Sequence, residues 1–498
     1  MNTFRKFLSF SIVVFFISFL VSCTYDKEEI PAVSDNRCYP DNIAAIFLTK
    51  CAISGCHNTL SKDGAGGFDL SSWDHLFEGG RNGSSVIPYR SDQSFLLSFV
   101  NTYSDLGIPI LSPTMPVNGQ PLSRNEVLTI RDWIKNGAPD CKGDIKFSED
   151  PLRKKFYVCN QGCDLVTVFD SHSKLPMRVI DVGTNPNQIE SPHDVVVSPD
   201  GNYWYVIFLT GQSMQKFRTS DDSYVDDVTL GTGQWTSMTI TENSHYAFVV
   251  NYTQSPGGSV AYVDLQSMTL LSTYTGLSYP HGSAVSSDFK TLYITAQFGN
   301  YIYKFDITDP LNPQEDDIRL ENGPQVFSSK LDPHQVSISP DETKYFVTCQ
   351  KSNEVRVMSV AADTLLAVIP TGGDPQELEF SETYPYLFVS CMNDTISFTG
   401  WIGSVSVINY QTNSFIKSIF TNGWQPHGIN VDDQFGVVYV ANRNVSPIGP
   451  APHHTSTCGG RNGNITIIDM TNPDPSQMDL LDYKVEVSVD PYEIGVRH

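Results

Sequence analysis

From Lys154 to His498 the chain repeats itself. The clearest unit, Pro192-His193-Asp194-Val195-Val196-Val197-Ser198-Pro199-Asp200-Gly201, leads into the apolar run Tyr203 to Phe208. Close copies begin at Pro280-His281, Pro333-His334, Pro375-Gln376 and Pro426-His427, a degenerate one at Trp235-Thr236 and a partial one at Pro491-Tyr492. Counted from the second residue of each pair, the spacings are 43, 45, 53, 42, 51 and 65 residues. Self-similarity at such a period marks an array of units that bury their apolar faces only against one another. Each unit reads as four short strands separated by turns, which is a propeller blade. Acidic residues near the turns, such as Asp200 and Asp341, are expected to hold them.

There are seven registers, and the first and last are incomplete. Residues Phe156 to Asp181 supply outer strands with no inner strand before them, and Lys484 to Arg497 supply an inner strand with nothing after it. Joined, the two pieces complete one blade, so the ring closes at seven and leaves no free sheet edge. This all-β part, 154–498, resembles the seven-bladed propellers of the YVTN-repeat group, also seen in nitrous oxide reductase and cytochrome cd1. The resemblance implies a fold and leaves the activity open.

A different grammar governs residues 36–145. Asp41 to Lys50 reads as a helix with Ile43, Ile46 and Phe47 on one face. It runs into Cys51-Ala-Ile-Ser-Gly-Cys56-His57. A glycine-rich loop, Lys62 to Gly67, and a second helical run, Asp92 to Thr102, follow. Leu111-Ser112-Pro113-Thr114-Met115-Pro116 is too rich in proline for helix. Ser123 then begins a closing helix, with Glu126 as its capping-box partner. Val127, Ile130, Trp133 and Ile134 recur at helical spacing, and Gly137 can end the run. Two thiols next to an imidazole suit covalent haem attachment, normally Cys-x-x-Cys-His. Here four residues separate the cysteines, so the intervening loop must bulge.

This order of elements resembles a small class I cytochrome c, an all-α domain. The resemblance implies one covalent haem c on Cys51 and Cys56, with His57 and Met115 as axial ligands of its iron, a pair that favours the reduced metal. Rival readings are a Cys51–Cys56 disulfide, a merely apolar role for Met115, and His75 as the distal ligand. A Cys38–Cys141 disulfide would clasp the ends of the segment.

The N-terminus is a leader rather than fold. Arg5 and Lys6 precede an apolar stretch from Phe7 to Leu20, and Leu20-Val21-Ser22-Cys23 follows. That makes residues 1–22 a secretory signal. The placed cysteine resembles a bacterial lipobox, which implies Cys23 as the lipidated first residue, 23–35 as a tether, and a cell-envelope location on the periplasmic face or the cell surface of the outer membrane. A transmembrane anchor is the alternative, although the run is short for a span. An oxidising compartment permits disulfides. Cys159 with Cys163, across the turn Asn160-Gln161-Gly162, and Cys391 with Cys458 are the expected pairs. With 32 basic against 55 acidic side chains, the chain repels phosphate backbones, so nucleic acid is not an expected partner.

Four blades place a histidine second in the inner strand: His193, His281, His334 and His427. Thr236, Gln376 and Tyr492 hold the other positions. Inner strands line the axial channel of a propeller, so four imidazoles should gather near one mouth. His453 and His454 fall in a loop expected at the same end. Two readings stand: ligands for copper or another transition metal, or histidines copied with the repeat to hydrogen-bond neighbouring backbone. The expectation for the whole chain is a lipid-anchored c-type cytochrome carrying out electron transfer with a redox partner protein, its propeller offering the metal or substrate site of a haem-dependent oxidoreductase. The alternatives are a docking module with a non-catalytic propeller, and a non-redox binding lipoprotein.

Overall fold

Among the described residues, twenty-eight short strands form between Lys155 and Val496 and fall into seven four-stranded antiparallel sheets. The structure is a computed structural model that describes residues 37–253, 257–400, 402–454, 456 and 458–498. The expected signal, the expected lipidated Cys23 and the expected tether lie outside the described residues. Middle strands such as Tyr203–Phe208 and Tyr386–Cys391 are built of aromatic and β-branched residues and are buried along nearly their whole length. Blades stack on both of their faces, so they read as continuous apolar runs rather than alternating ones. The outermost strands meet water. Gln314–Arg319 buries Ile318 and exposes its other five residues.

The ring closes as the repeat requires. The last strand, Pro491–Val496, pairs with Lys155–Asn160 (Phe156 opposite Val496, Tyr157 opposite Gly495) and becomes the inner strand of the first sheet. The repeated Pro-His pair also has a local cause. Proline stands first in the inner strand, where its missing N–H costs no ladder bond. The register then shifts at once, between Pro192 and Asp194, Pro280 and Ser283, Pro333 and Val336, Pro375 and Leu378, and Pro426 and Ile429. Such a bulge re-aims the residue that follows the proline. Gly428 comes next in its blade because a Cβ there would lie 2.5 Å from the Tyr492 carbonyl oxygen on the neighbouring inner strand. Asp200 and Asp341 hold turns, accepting from the Ser198 hydroxyl at 2.6 Å and the Ser339 hydroxyl at 2.7 Å.

The upstream segment departs from the all-α domain expected over 36–145. It carries four short α-helices, Asp41–Ile46, Trp73–Leu76, Phe95–Val100 and Arg124–Lys135, separated by long irregular stretches. Glycine and proline between Lys62 and Pro116 interrupt helix repeatedly, and the run expected from Asp92 shrinks to Phe95–Val100. The first helix passes into a π turn, Phe47–Cys51, that ends on Cys51. The last has the expected capping box of Ser123 and Glu126 and buries Val127, Ile130, Trp133 and Ile134. Glu126 also pairs with Lys50 at 2.7 Å, tying the closing helix to the turn that carries Cys51.

One apolar cluster runs from this segment into the first two blades, joining Phe47, Trp73 and Trp133 to Tyr157, Met177 and Trp204. The Ser84 hydroxyl donates to the Pro176 carbonyl (2.7 Å), and Arg90 donates to the Val179 carbonyl (3.0 Å). A Cys38–Cys141 disulfide joins the segment's ends. The two propeller pairs expected from sequence do not form: Cys163 bonds Cys458 instead, and Cys159 and Cys391 are buried free thiols. Cys159 turns into the space between blades, where its thiol donates to the His193 carbonyl of the next blade at 3.4 Å. Cys391 points likewise into an apolar cluster between blades. Only Cys163, in the turn after its strand, reaches the loop that carries Cys458.

Candidate functional site

Two places gather chemistry. The first is a cavity of about 510 Å³ in the upstream segment. Cys51, Cys56, His57 and Met115, distant in sequence, all line it. The cysteines are unbridged, which sets aside the expected rival of a disulfide between them. Cys51 ends the π turn and is buried, and burial pushes its thiol up to about 12. His57 Nδ1 lies 3.2 Å from the Phe68 carbonyl oxygen. A carbonyl only accepts, so Nδ1 carries the proton and the Nε2 lone pair is left free. Met115 is held in place by its N–H, which donates to the Phe99 carbonyl at 2.8 Å. Phe47, Phe68, Leu96 and Phe99 make much of the remaining wall apolar. His75 does not line this cavity; its Nδ1 faces the Ser71 hydroxyl at 3.0 Å and Asp69 at 3.5 Å.

The propeller contributes to the same cavity. His453 lines it, with its ring 5.4 Å from that of Phe99, and the His454 ring lies 5.1 Å from that of Phe95. Glu486 accepts from the backbone N–H of both histidines and pairs with His454 Nδ1 at 2.8 Å. The Cys163–Cys458 disulfide anchors the far end of this loop. The sequence placed these histidines beside the axial ring. Their approach to the upstream segment depends on how the two parts dock, which no local period records.

The second place is the axial mouth. The four repeated histidines and Tyr492 form a closed circuit of rings. Centroids lie 4.1 Å apart from His193 to Tyr492, 3.8 Å from Tyr492 to His427 and 5.6 Å from His427 to His334, then 4.0 Å from His334 to His281 and 6.4 Å from His281 back to His193. Thr236 and Gln376 take the two remaining positions, and Gln376 and Tyr492 are followed by acids, Glu377 and Glu493. Every histidine of the circuit is buried. Burial drives His193 down to about 3, with Arg443 and His334 adding to the effect, and takes His281 and His427 well below the usual imidazole value. The rings of His193, His281 and His427 are thereby neutral at pH 7, with lone pairs to offer.

Beneath the circuit lies a cavity of about 310 Å³ lined by Asp194, Glu377, Glu379 and Glu493. Burial raises Asp194 to about 7 and Glu379 to about 8, and raises Glu493 well above the usual range, with Glu377 and Asp194 adding repulsion. An unfolded Asp194 would titrate near 3.8, whereas the folded protein keeps the proton to about 7. Between those values the native state binds more protons, so stability falls as pH rises through this window and levels off above it. The Asp194→Asn variant should lose that slope. Relative to the parent it should gain up to about 4 kcal/mol at pH 8 and little at pH 4. Urea melts at several pH values, on metal-free protein, measure this. Parallel pH profiles for the two proteins would remove Asp194 as the cause.

No family model matches the chain, and no curated protein matches it. Among solved structures it is similar to a functionally unknown protein from Desulfotomaculum acetoxidans DSM 771, with a TM-score of 0.53 and 15% identity over 69% of this chain and 99% of that one. Kuenenia stuttgartiensis hydrazine synthase gives a TM-score of 0.48 and 16% identity, over 63% of this chain and 93% of that one. At such identity the likeness is one of fold: a seven-bladed β-propeller.

Proposed function

We propose that this protein is an exported, lipid-anchored c-type cytochrome that passes single electrons between a redox partner protein and its own propeller. The observation that carries the reading is the convergence of Cys51, Cys56, His57 and Met115 on one largely apolar cavity. Its volume suits a large planar cofactor. The donor set also fits: two unbridged thiols for thioether links, an imidazole with Nε2 free, and a thioether from a separate loop. Haem c would supply reversible one-electron chemistry there. The chain's own residues do the rest. Phe68 fixes the tautomer and orientation of His57 through its carbonyl, as an outer-shell partner does for a metal-bound imidazole. The helix-capping Glu126 holds Lys50 and the turn beside Cys51. Phe47, Leu96 and Phe99 give the cavity apolar walls, and a low-polarity surround favours the less charged, reduced state of a haem held there. Cys23 would carry the lipid that keeps the chain at the envelope.

A single experiment tests the core of this reading: intact mass together with a pyridine haemochrome assay, on full-length protein matured in a host that attaches haem c. One haem per chain, lost in the Cys51→Ala/Cys56→Ala variant, is the expected result. Properly exported protein with no porphyrin adduct would overturn it. Of the two roles for the propeller, oxidoreductase centre and docking platform, the first is favoured by the ring nitrogens at the axial mouth that lack hydrogen-bond partners.

A further inference from the structure

The axial circuit is not uniform. His281 Nδ1 faces the His334 carbonyl oxygen at 3.3 Å, and His193 Nδ1 meets the Gln161 side-chain amide at 2.8 Å. Each of these two rings has a contact of the kind a repeated histidine would be copied to make; His193 Nε2 has no hydrogen-bond partner, but His193 lies outside the group of ligand atoms that fall within 4.8 Å of one another. His427 differs. It is 1% exposed, and neither of its ring nitrogens has a hydrogen-bond partner, although Nδ1 faces Glu493 Oε2 at 3.8 Å. A buried imidazole left so is costly unless something else occupies its lone pair. His334 Nε2 is likewise without a hydrogen bond, and it points to Glu377 Oε1 at 3.4 Å. The other Glu377 oxygen accepts from the Gln335 side-chain amide at 2.7 Å, which fixes the carboxylate and leaves Oε1 directed at the histidines. One ligand atom from each of His334, Glu377 and His427 lies within 4.8 Å of the others, and all three residues are buried.

We infer that the axial mouth is a transition-metal site whose protein ligands are His334, His427 and Glu377, rather than the four-histidine ring that the repeat suggests. Two imidazoles and a carboxylate suit a borderline divalent ion such as zinc, iron(II) or copper(II), and a three-ligand set leaves coordination positions for water or substrate. Glu377 also lines the acid-walled cavity beneath the circuit, so a small ligand entering there would meet the open side of the metal. His334 Nδ1 is held by the Gln297 side-chain amide at 3.2 Å, which fixes the ring against rotation. Metal on Nε2 places the proton on Nδ1, so Gln297 then presents its carbonyl oxygen to it. The site deepens the oxidoreductase role proposed above, yet its chemistry owes nothing to haem.

The test titrates Zn(II) alone, against a chromophoric chelator, into chelator-stripped, haem-loaded full-length protein, with haem and total metals counted on the same sample. We expect one zinc per chain beyond the haem iron. Affinity should fall by at least about 100-fold in His427→Gln and in Glu377→Gln. His281→Gln, which removes a ring neighbour and no ligand, should bind zinc as the parent does. Circular dichroism melts of the stripped variants separate lost ligation from lost folding, and Glu377→Gln, being isosteric, is the variant least able to unfold the blade. No zinc binding by the parent overturns the site. Equal losses in His281→Gln and His427→Gln overturn the ligand assignment in favour of the full ring. Zinc bound by a chain that carries no haem would keep this site and reject the cytochrome reading. Haem without zinc would do the reverse.

Discussion

With haem held as proposed, Met115→Ala should leave it attached and lower its reduction potential by on the order of a hundred millivolts or more. On that proposal attachment would depend on Cys51 and Cys56, which the substitution does not touch, so haem content should stay at one per chain. Axial ligands are the strongest lever a protein has on haem potential, spanning about 0.8 V across ligand types, and a methionine opposite a histidine lies toward the high end. Loss of the thioether would remove the proposed ligand that prefers reduced iron. It also opens that face to water or to a neighbouring imidazole. His453 is the neighbour to watch, because it lines the same cavity from the propeller side. A low-spin spectrum in Met115→Ala that turns high-spin in Met115→Ala/His453→Ala would identify it as the replacement. His453→Ala alone should keep the parent's ligation. Spectroelectrochemistry reads all three proteins. An unchanged potential and spectrum in Met115→Ala would make Met115 a piece of apolar wall and nothing more.

Legibility in the sequence tracked the range of the interactions involved. The blades were readable because each strand's pattern answers to its own stacking neighbours, and the closure at seven followed from two half-blades at the ends of the array. The capping box at Ser123 and Glu126 was readable for the same reason, its parts being three residues apart. The four histidines were placed at one mouth because equivalent residues of a repeat lie at equal height. What stayed hidden was whatever depends on loops meeting. Cys163 finds Cys458 across a sequence separation of 295 residues, and no period announces that. The local choice of Cys159 failed because its strand turns the thiol into the packing between blades. Glu377 does not read as a site residue in the sequence because it stands one position past Gln376, one of the three members of the series that are not histidine. The upstream segment is more irregular than its sequence pattern suggests, since its helical runs are cut short by glycine and proline and its order comes from packing on the first two blades.

The blade that closes the ring holds a fully buried ion pair, and Asp222→Ala should expose its cost. Lys155, in the second strand of that blade, is buried, and its ammonium donates to Asp222 at 2.8 Å and to the Thr219 carbonyl at 2.8 Å. The Tyr157 hydroxyl donates to the other Asp222 oxygen at 3.1 Å. Asp222 belongs to the turn between Ser213–Arg218 and Tyr224–Thr229, so the pair bolts the closing blade to the next one. Burial lowers the lysine's pKa and raises the aspartate's, each opposed by its partner. Desolvation and attraction therefore nearly balance while both groups are present, and the imbalance appears when one is removed. Asp222→Ala leaves a buried ammonium without its counter-ion and should cost about 3–5 kcal/mol. Lys155→Met/Asp222→Leu, which removes both charges and fills similar volume, should recover most of that loss, because replacing a buried pair by apolar groups is often neutral or better. Urea melts followed by tryptophan fluorescence report the difference, with Trp204 packed against Tyr157 at a ring distance of 5.2 Å as a local probe. If Asp222→Ala melts within about 1 kcal/mol of the parent, water reaches Lys155 and the seam is held by strand pairing and packing alone.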